Sequence, residues 1–369
     1  MAFLSAAGTY AERRVAGFIQ GRVGPNRVGP FGILQPIADG IKLLLKEDVI
    51  VTVAFKLMYV LAPALVFIGA LIPFGALPFS ERLVLIDMEL ALYYILAFEA
   101  LEVIGVIMAG WAPASKWSLY GGMRLAAQML SYEIPLGLSI LVVVILTGSL
   151  NLGEIVLWQS TDAFGLKEPW ILGWTVFRSP ASFLAFWIFL VAGLAAAKRA
   201  PFDLPEAESE LVAGFHTEYS GMRFAFYFIA EYASMYLICA LAAILFLGGW
   251  YAPIPRPILP EELTLTGRWV ALVSTLGVEG TAITFMQYVK GTVAVFTDPE
   301  CLKVMFHQGL GVANLLLKSF GLFFVMLWVR WTLPRIRLDH VMHLCLKVLL
   351  PFSLGCAIWA LIQVGLFGL

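Results

Sequence analysis

Seven apolar runs, at residues 57–77, 90–110, 134–155, 181–197, 222–249, 312–329 and 348–367, dominate this chain of 369 residues. Each approaches the ~20 residues that a helix needs to cross the ~30 Å hydrocarbon core of a bilayer. In hydrocarbon every backbone N–H and C=O has to be paired, so only helices and closed barrels can span it. A barrel would show ~10-residue segments of alternating polarity, which these runs do not. Composition agrees. Hydrophobic residues make up 61% of the chain and charged residues 13%, against ~25% charged in an ordinary soluble protein. So few charges cannot cover the surface of a water-soluble enzyme of this size. The expected fold is all-α, a polytopic membrane helix bundle forming one membrane domain over 1–369. Residues 1–11 are also apolar but only half a span long. An incomplete first helix is therefore expected, for about eight in all.

Lys and Arg placement sets the orientation, because cytoplasmic segments carry the excess of positive charge. The stretches 12–56, 111–133, 198–221 and 330–347 hold most of the 24 Lys and Arg, so they are expected on the cytoplasmic side. Residues 250–311 hold an apolar piece from Trp269 to Val278, followed by Glu279, Gln287 and Lys290. One further crossing there would place 198–221 and 330–347 on opposite sides, so the region is read as a periplasmic insertion.

The same composition excludes several chemistries. A formal net charge of −1 advertises no nucleic-acid surface. Cys239, Cys301, Cys345 and Cys356 are dispersed with no Cys-x-x-Cys, which argues against an iron–sulfur cluster or structural zinc. His340 and His343 lack a third ligand nearby, so no metal is expected. Any redox chemistry has to come from a partner.

The basic-side segments are too well furnished to be plain connections. Residues 21–32 read Gly-Arg-Val-Gly-Pro-Asn-Arg-Val-Gly-Pro-Phe-Gly, whose Gly-Pro pairs force a compact turn. Ile33, Leu34, Ile37, Ile41, Leu44 and Leu45 then recur at helical spacing, with Gln35, Asp39, Lys42 and Lys46 opposite. That is an amphipathic helix, suited to the membrane surface or to a protein partner. The segment 198–221 sets Asp203, Glu206, Glu208, Glu210 and Glu218 near Arg199 and Arg223. Crowded carboxylates raise one another's pKa, and the interleaved Phe202, Leu204, Leu211, Val212 and Phe215 argue against a freely solvated acidic loop.

Carboxylates also stand inside the runs: Glu99, Glu102 and Glu231, with Glu133 at an edge. Charge at membrane depth is expensive and usually lines a polar path; a neutral carboxyl joining two helices is the other account of any one of them. Glu99 and Glu102 share a helix face. Arg330, Arg335 and Arg337 with Asp339 follow the seventh span, where positive-inside anchoring is a second explanation.

Gly21–Gly32, Leu34–Asp48, Ala109–Pro135, Pro201–Gly221 and Ala230–Tyr232, in this order, resemble one family: the NuoH-type membrane subunit of respiratory complex I, the proton-pumping NADH:quinone oxidoreductase. The resemblance implies a multi-pass protein of the bacterial inner membrane, not catalytic alone, at the joint of the membrane and peripheral arms. It implies a quinone chamber whose entrance this chain frames, with quinone as substrate and no cofactor held by the chain alone. Implied partners are the iron–sulfur and quinone-chamber peripheral subunits, small membrane subunits and antiporter-like subunits, within membrane lipid. Matched motif by motif, Arg13, Arg22, Asp39, Lys42, Phe228, Arg330 and Arg335 fall at the quinone path, and Arg199 and Arg337 are grouped with them. Tyr132, Glu133, Asp203, Glu206, Glu208, Glu210, Glu231 and Tyr232 fall on an acidic proton-coupling connection, to which the residue-level reading adds Glu99, Glu102 and Glu218.

Where the family usually has Ala-Glu-x-Asn-Arg, this chain has Ala195-Ala196-Ala197-Lys198-Arg199. The missing carboxylate at Ala196, set against the extra Glu99 and Glu102, leads to the expectation that the proton path runs through the third span. Two other classes stay open. One is the homologous component of a membrane-bound hydrogenase or ferredoxin-linked complex. The other is a stand-alone transporter, which would be expected to show internal repeats; none is visible.

Overall fold

The computed structural model describes residues 2–160, 170–204, 212–251 and 299–367. Among these the chain is all helix and connection: α1 (Ala2–Ile19), α2 (Gln35–Leu45), α3 (Lys56–Leu71), α4 (Ala91–Trp111), α5 (Lys116–Thr147), α6 (Leu152–Ser160), α7 (Thr175–Arg178), α8 (Pro180–Ala196), α9 (Gly221–Phe246), α10 (Pro299–Thr332), α11 (Leu338–His343) and α12 (Leu350–Phe367). A 3-10 turn prolongs α3 to Ala76, and a wider π-type turn over Leu344–Leu349 joins α11 to α12.

Among the described residues six helical stretches are long and apolar enough to cross a membrane: Lys56–Ala76, Ala91–Trp111, Lys116–Thr147, Gly221–Phe246, Gln308–Thr332 and Leu338–Leu366. The apolar α8 is shorter, at 17 residues. It starts sharply because Ser179 and Ser182 cap each other's backbone N–H groups and Pro180 occupies the first turn. Helix α1 has 18 residues but carries Glu12, Arg13 and Arg14.

Two expectations need correction. The first helix is not half-length: it runs on through the charged Glu12-Arg13-Arg14 to Ile19. Its buried face of Ser5, Gly8, Glu12 and Ala16 packs against α9 and α10 rather than lipid. Residues 111–133 are not a loop before a span at 134–155. From Lys116 they are the first half of α5, a helix of 32 residues that passes through Glu133 and Pro135. It stops at Gly148, whose φ of 72° is the left-handed end that glycine accepts without strain. Helix α10 begins at Pro299, within the stretch read as the 250–311 insertion, where helices are expected. The rest of that insertion, 252–298, lies outside the described residues.

Helix α9 is the centre of the bundle, with every residue from Ala230 to Phe246 buried. Around it stand α3, α8, α10 and α1, while α4 and α5 continue the packing outward to α12. Helices α3 and α4 touch backbone to backbone. A Cβ at Gly69 would lie 2.7 Å from the Glu102 nitrogen, and one at Gly105 would lie 2.9 Å from the Val66 nitrogen. Small residues drive such contacts in membranes, where lipid tails are as apolar as leucine and dispersion needs close approach. The C-terminal end of α9 is closed by Gln159 of α6, which donates to the Ile244 carbonyl at 2.8 Å and accepts from the Gly248 N–H at 2.8 Å.

Candidate functional site

Two adjacent residues at the end of α8 organise the site. Lys198 has a φ of 55°, which turns the chain out of the helix and sends Lys198 and Arg199 to different partners. Arg199 Nη1 lies 3.4 Å from Glu12 of α1, and its Nε lies 2.8 Å from Glu231 of α9. The guanidinium stands 4.5 Å from the Tyr232 ring centroid. Tyr232 donates its hydroxyl proton to Glu12 at 2.5 Å, and Arg330 of α10 pairs with the other Glu12 oxygen. Side-chain exposure is 4% for Arg199, 7% for Glu231 and 8% for Glu12. Two arginines and two carboxylates from four segments of the chain thus form one buried network. It is sustainable because each charge has a counter-charge within ion-pair distance; unpaired, each would carry a desolvation cost of several kcal/mol.

Lys198 turns the other way. Its ammonium donates to Glu102 of α4 at 2.8 Å, and both side chains are 6% exposed. Ser234 donates to the second Glu102 oxygen at 2.7 Å. Ser234 lies one helical turn beyond Glu231, so α9 carries the two groups on the same side. Glu99 lies within electrostatic reach of Glu102, Glu133 and Lys198. Tyr132 is buried and Glu133 is exposed on the surface of the chain.

The segment following Arg199 folds back onto α5. Gln128 donates to the Ala195 and Phe202 carbonyls at 2.9 and 3.0 Å, and Ser118 donates to the Phe215 carbonyl at 2.9 Å. Gly121 is required at that contact, since a Cβ there would lie 2.6 Å from the Phe215 nitrogen. Phe202, Leu204, Phe215 and Tyr219 are buried. Asp203 pairs with Arg335 at 3.2 Å, and the Ile336 N–H donates to the Pro201 carbonyl at 3.0 Å, so the acidic segment is tied to the α10–α11 connection. Glu206, Glu208 and Glu210 lie outside the described residues. The Glu218 carbonyl accepts the Tyr59 hydroxyl at 2.7 Å, and Tyr59 stacks on Tyr219 with centroids 4.3 Å apart.

Phe228 stands beside His216, with centroids 6.1 Å apart, and Phe224 and Phe215 complete an aromatic enclosure. Burial there pushes the imidazole pKa from its usual 6.5 down to about 4. The folded protein therefore holds His216 neutral where the unfolded chain, near 6.5, binds a proton. Its contribution is complete above pH ~6.5 and is lost as pH falls toward 4, reaching about 3 kcal/mol. A His216→Phe variant, unable to charge, is expected to lose less stability than wild type across that window. Thermal melts of the solubilised protein at pH 7, 6, 5 and 4 measure this; parallel pH curves for the two proteins would refute it.

Arg13 of α1 pairs with Asp39 of α2 at 2.5 Å, and Gln35 donates to the same carboxylate at 3.2 Å; Lys42 is 3.9 Å away. No residue of α2 is buried, and Ile33, Leu34, Ile37, Ile41, Leu44 and Leu45 are all exposed. Arg22 donates to Gln20 at the exposed turn. Arg337 is exposed, and its carbonyl accepts the first turn of α11. Among the described residues no three His, Cys, Asp or Glu side chains gather as a metal site.

The structure thus brings Arg199, Glu231, Tyr232 and Arg330 together, joins Asp203 to Arg335 and Arg13 to Asp39, and leaves Arg22 and Arg337 apart at the surface. Sequence reasoning missed Glu12, the hub of the network, and the pairing of Lys198 and Ser234 with Glu102. The one signal for Glu12 was the spacing of Ser5, Gly8 and Ala16, a face of small residues on which a carboxylate at position 12 falls.

The family model described as NADH dehydrogenase matches residues 1–361. The chain is similar to the H subunit of the NADH-quinone oxidoreductase of Chlorobaculum tepidum, 40% identical over 359 residues that cover 96% of this chain and 87% of that protein. The corresponding protein of Salinibacter ruber is 40% identical over 359 residues, 97% of this chain and 91% of that one. That of Anaeromyxobacter dehalogenans is 40% identical over 364 residues, 98% of this chain and 78% of that protein.

Proposed function

We propose, from the premise that this chain belongs to the NuoH family of NADH-quinone oxidoreductase membrane subunits, that it frames the entrance of a quinone chamber and carries the buried charges that couple quinone reduction to proton movement. As a family member it is a multi-pass protein of the bacterial inner membrane and part of an NADH:quinone oxidoreductase, without catalytic power alone. In this reading α1 and α8 complete eight spans, and the charged end of the bundle faces the cytoplasm. Helix α2 is an amphipathic helix that lays Ile37, Ile41, Leu44 and Leu45 on lipid or on a peripheral subunit.

The observation that carries the proposal is the Glu12–Arg199–Glu231–Tyr232–Arg330 network. A long isoprenoid quinone needs an opening at membrane depth, and the α1–α2 edge with Arg13, Asp39, Lys42, Phe228 and Arg330 borders such an opening. Arg22 and Arg337, exposed at the surface, are assigned to that entrance as well. Reduction of the headgroup calls for two protons and alters charge beside buried groups. At 4 Å and an effective dielectric of ~20, unit charges interact by about 4 kcal/mol, enough to displace a proton equilibrium by two to three orders of magnitude. The Glu12 and Glu231 carboxylates feel that change through Arg199 and Arg330. Asp203, Glu206, Glu208, Glu210 and Glu218 extend the acidic path along the segment after α8. Glu99, Glu102, Tyr132 and Glu133 carry it through α4 and α5 toward antiporter-like partners, in place of a carboxylate at position 196.

The test is donor:quinone reductase activity of the purified complex, with NADH and with reduced ferredoxin, in the presence and absence of a quinone-site inhibitor. Inhibitor-sensitive NADH:quinone turnover that acidifies sealed vesicles is expected. Ferredoxin oxidation or hydrogen evolution indifferent to quinone would overturn the reading and strip Arg13, Arg330 and Phe228 of their assigned place.

A further inference from the structure

Lys198 takes no direct part in the Glu12–Arg199–Glu231 network, yet it occupies the junction between that network and α4. Its ammonium is bonded to Glu102 at 2.8 Å. Its charge also reaches Glu99 of α4 and Glu231 of α9. Arg199, the next residue, is committed to Glu12 and Glu231 on the opposite side. Glu102 itself has little freedom. The Gly69 backbone of α3 presses on its main chain, and Ser234 holds its second oxygen. The cation is the long, flexible member of the pair, with four methylenes between backbone and charge.

We infer that Lys198 is a positioning residue that links the carboxylates of α4 to the network on α9 by exchanging its partner as protons move. The step balances without an outside reagent. Once Glu231 or Glu99 has taken up a proton, that proton passes to Glu102, turning its carboxylate into a carboxyl. Lys198, still an ammonium, loses its counter-charge and follows the new negative charge to the group that released the proton. The reverse transfer restores the observed pair. The charged groups around Lys198 are Glu99 and Glu102 on α4, Arg199 beside it and Glu231 on α9. Three carboxylates against two cations leave an acceptor for a bound proton. The inference rests on the proton-coupling function proposed for this chain and names the residue through which two of its carboxylate sets communicate.

The experiment compares wild type, Lys198→Met and the double variant Glu102→Gln/Lys198→Met in purified complex reconstituted into sealed vesicles. Amount of assembled complex, uncoupled inhibitor-sensitive NADH:quinone rate and proton uptake are measured on each. The single variant leaves Glu102 as a buried carboxylate without its cation, so less complex is expected to assemble. The double variant replaces the ion pair with a neutral pair of similar volume and is expected to assemble as wild type does. Its proton uptake per assembled complex is expected to fall roughly a hundredfold or more, within the range that loss of a positioned proton-transfer group produces. A double variant that assembles and pumps like wild type would reduce the pair to a packing contact and overturn the inference. Failure of the underlying function is distinct, because wild type itself would then show no quinone-dependent proton uptake.

Discussion

Arg199→Met is expected to cost the folded protein about 3–5 kcal/mol and to abolish quinone-linked turnover, the typical consequence of removing one member of a buried ion network. The guanidinium is 4% exposed and stands between two carboxylates from different helices, Glu12 at 3.4 Å and Glu231 at 2.8 Å. Without it Glu231 loses the cation in direct contact with it, and Glu12 keeps Arg330. Methionine fills the space but supplies no charge, so the carboxylates have to be protonated or hydrated, and either change opens the α1–α9 contact. Recovery of intact complex and the melting temperature of what remains measure the stability effect; quinone reductase rate per assembled complex measures the functional one. Arg199→Met/Glu231→Gln, which removes the stranded charge, is expected to regain part of the stability and none of the proton uptake. Wild-type melting and turnover in the single variant would end the assignment of this network as the coupling centre.

The second large effect lies at the other end of α9 and is expected to be structural only. Lys318, in the middle of α10, donates to the carbonyls of Leu247, Gly249 and Tyr251 at 2.6, 2.9 and 2.6 Å, with the Trp174 ring centroid 4.4 Å away. Three acceptors match the three N–H donors of an ammonium, where a neutral amine has two. The cation therefore ties down the turn just beyond α9, from Leu247 to Tyr251. Lys318→Met removes all three bonds at nearly constant volume. Each buried carbonyl left unpaired costs ~1–3 kcal/mol, so the total is expected to reach several kcal/mol. Amide exchange at the end of α9 should accelerate and less complex should accumulate. The complex that does assemble is expected to turn over at the wild-type rate, because Lys318 is remote from the Glu12 network. Loss of turnover per assembled complex would contradict that separation of roles.

The contrast between these two cations explains how much of the site could be read from residues alone. Lys318 stands inside the run 312–329, whereas Arg199 falls just after the run 181–197, in a segment expected on the cytoplasmic side. What the pattern does not carry is the partner. Glu12 and Arg330 are 318 residues apart and meet only because α1 and α10 flank the same face of α9. Glu12 was hidden for a further reason. The first apolar run stops where Glu12-Arg13-Arg14 begins, whereas the helix continues because that face is covered by protein rather than lipid. The same reason accounts for α5. Residues 116–133 read as a polar connection, yet they are helical because the segment after α8 docks on them through Gln128, Ser118 and Gly121.

The chain by itself determined that it lies in a membrane, that it is helical, roughly where its long apolar spans fall, and which carboxylates are out of place in lipid. Those features follow from transfer free energies that add residue by residue along a local stretch, and a stretch of ~20 residues is long enough to decide them. The tertiary structure alone decided that Arg199 holds Glu12 and Glu231 while its neighbour Lys198 holds Glu102, and that α9 presents Glu231 and Ser234 to the two sets. Pair energies depend on separation and on the surrounding dielectric, and both are properties of the packed bundle that no local stretch of sequence contains.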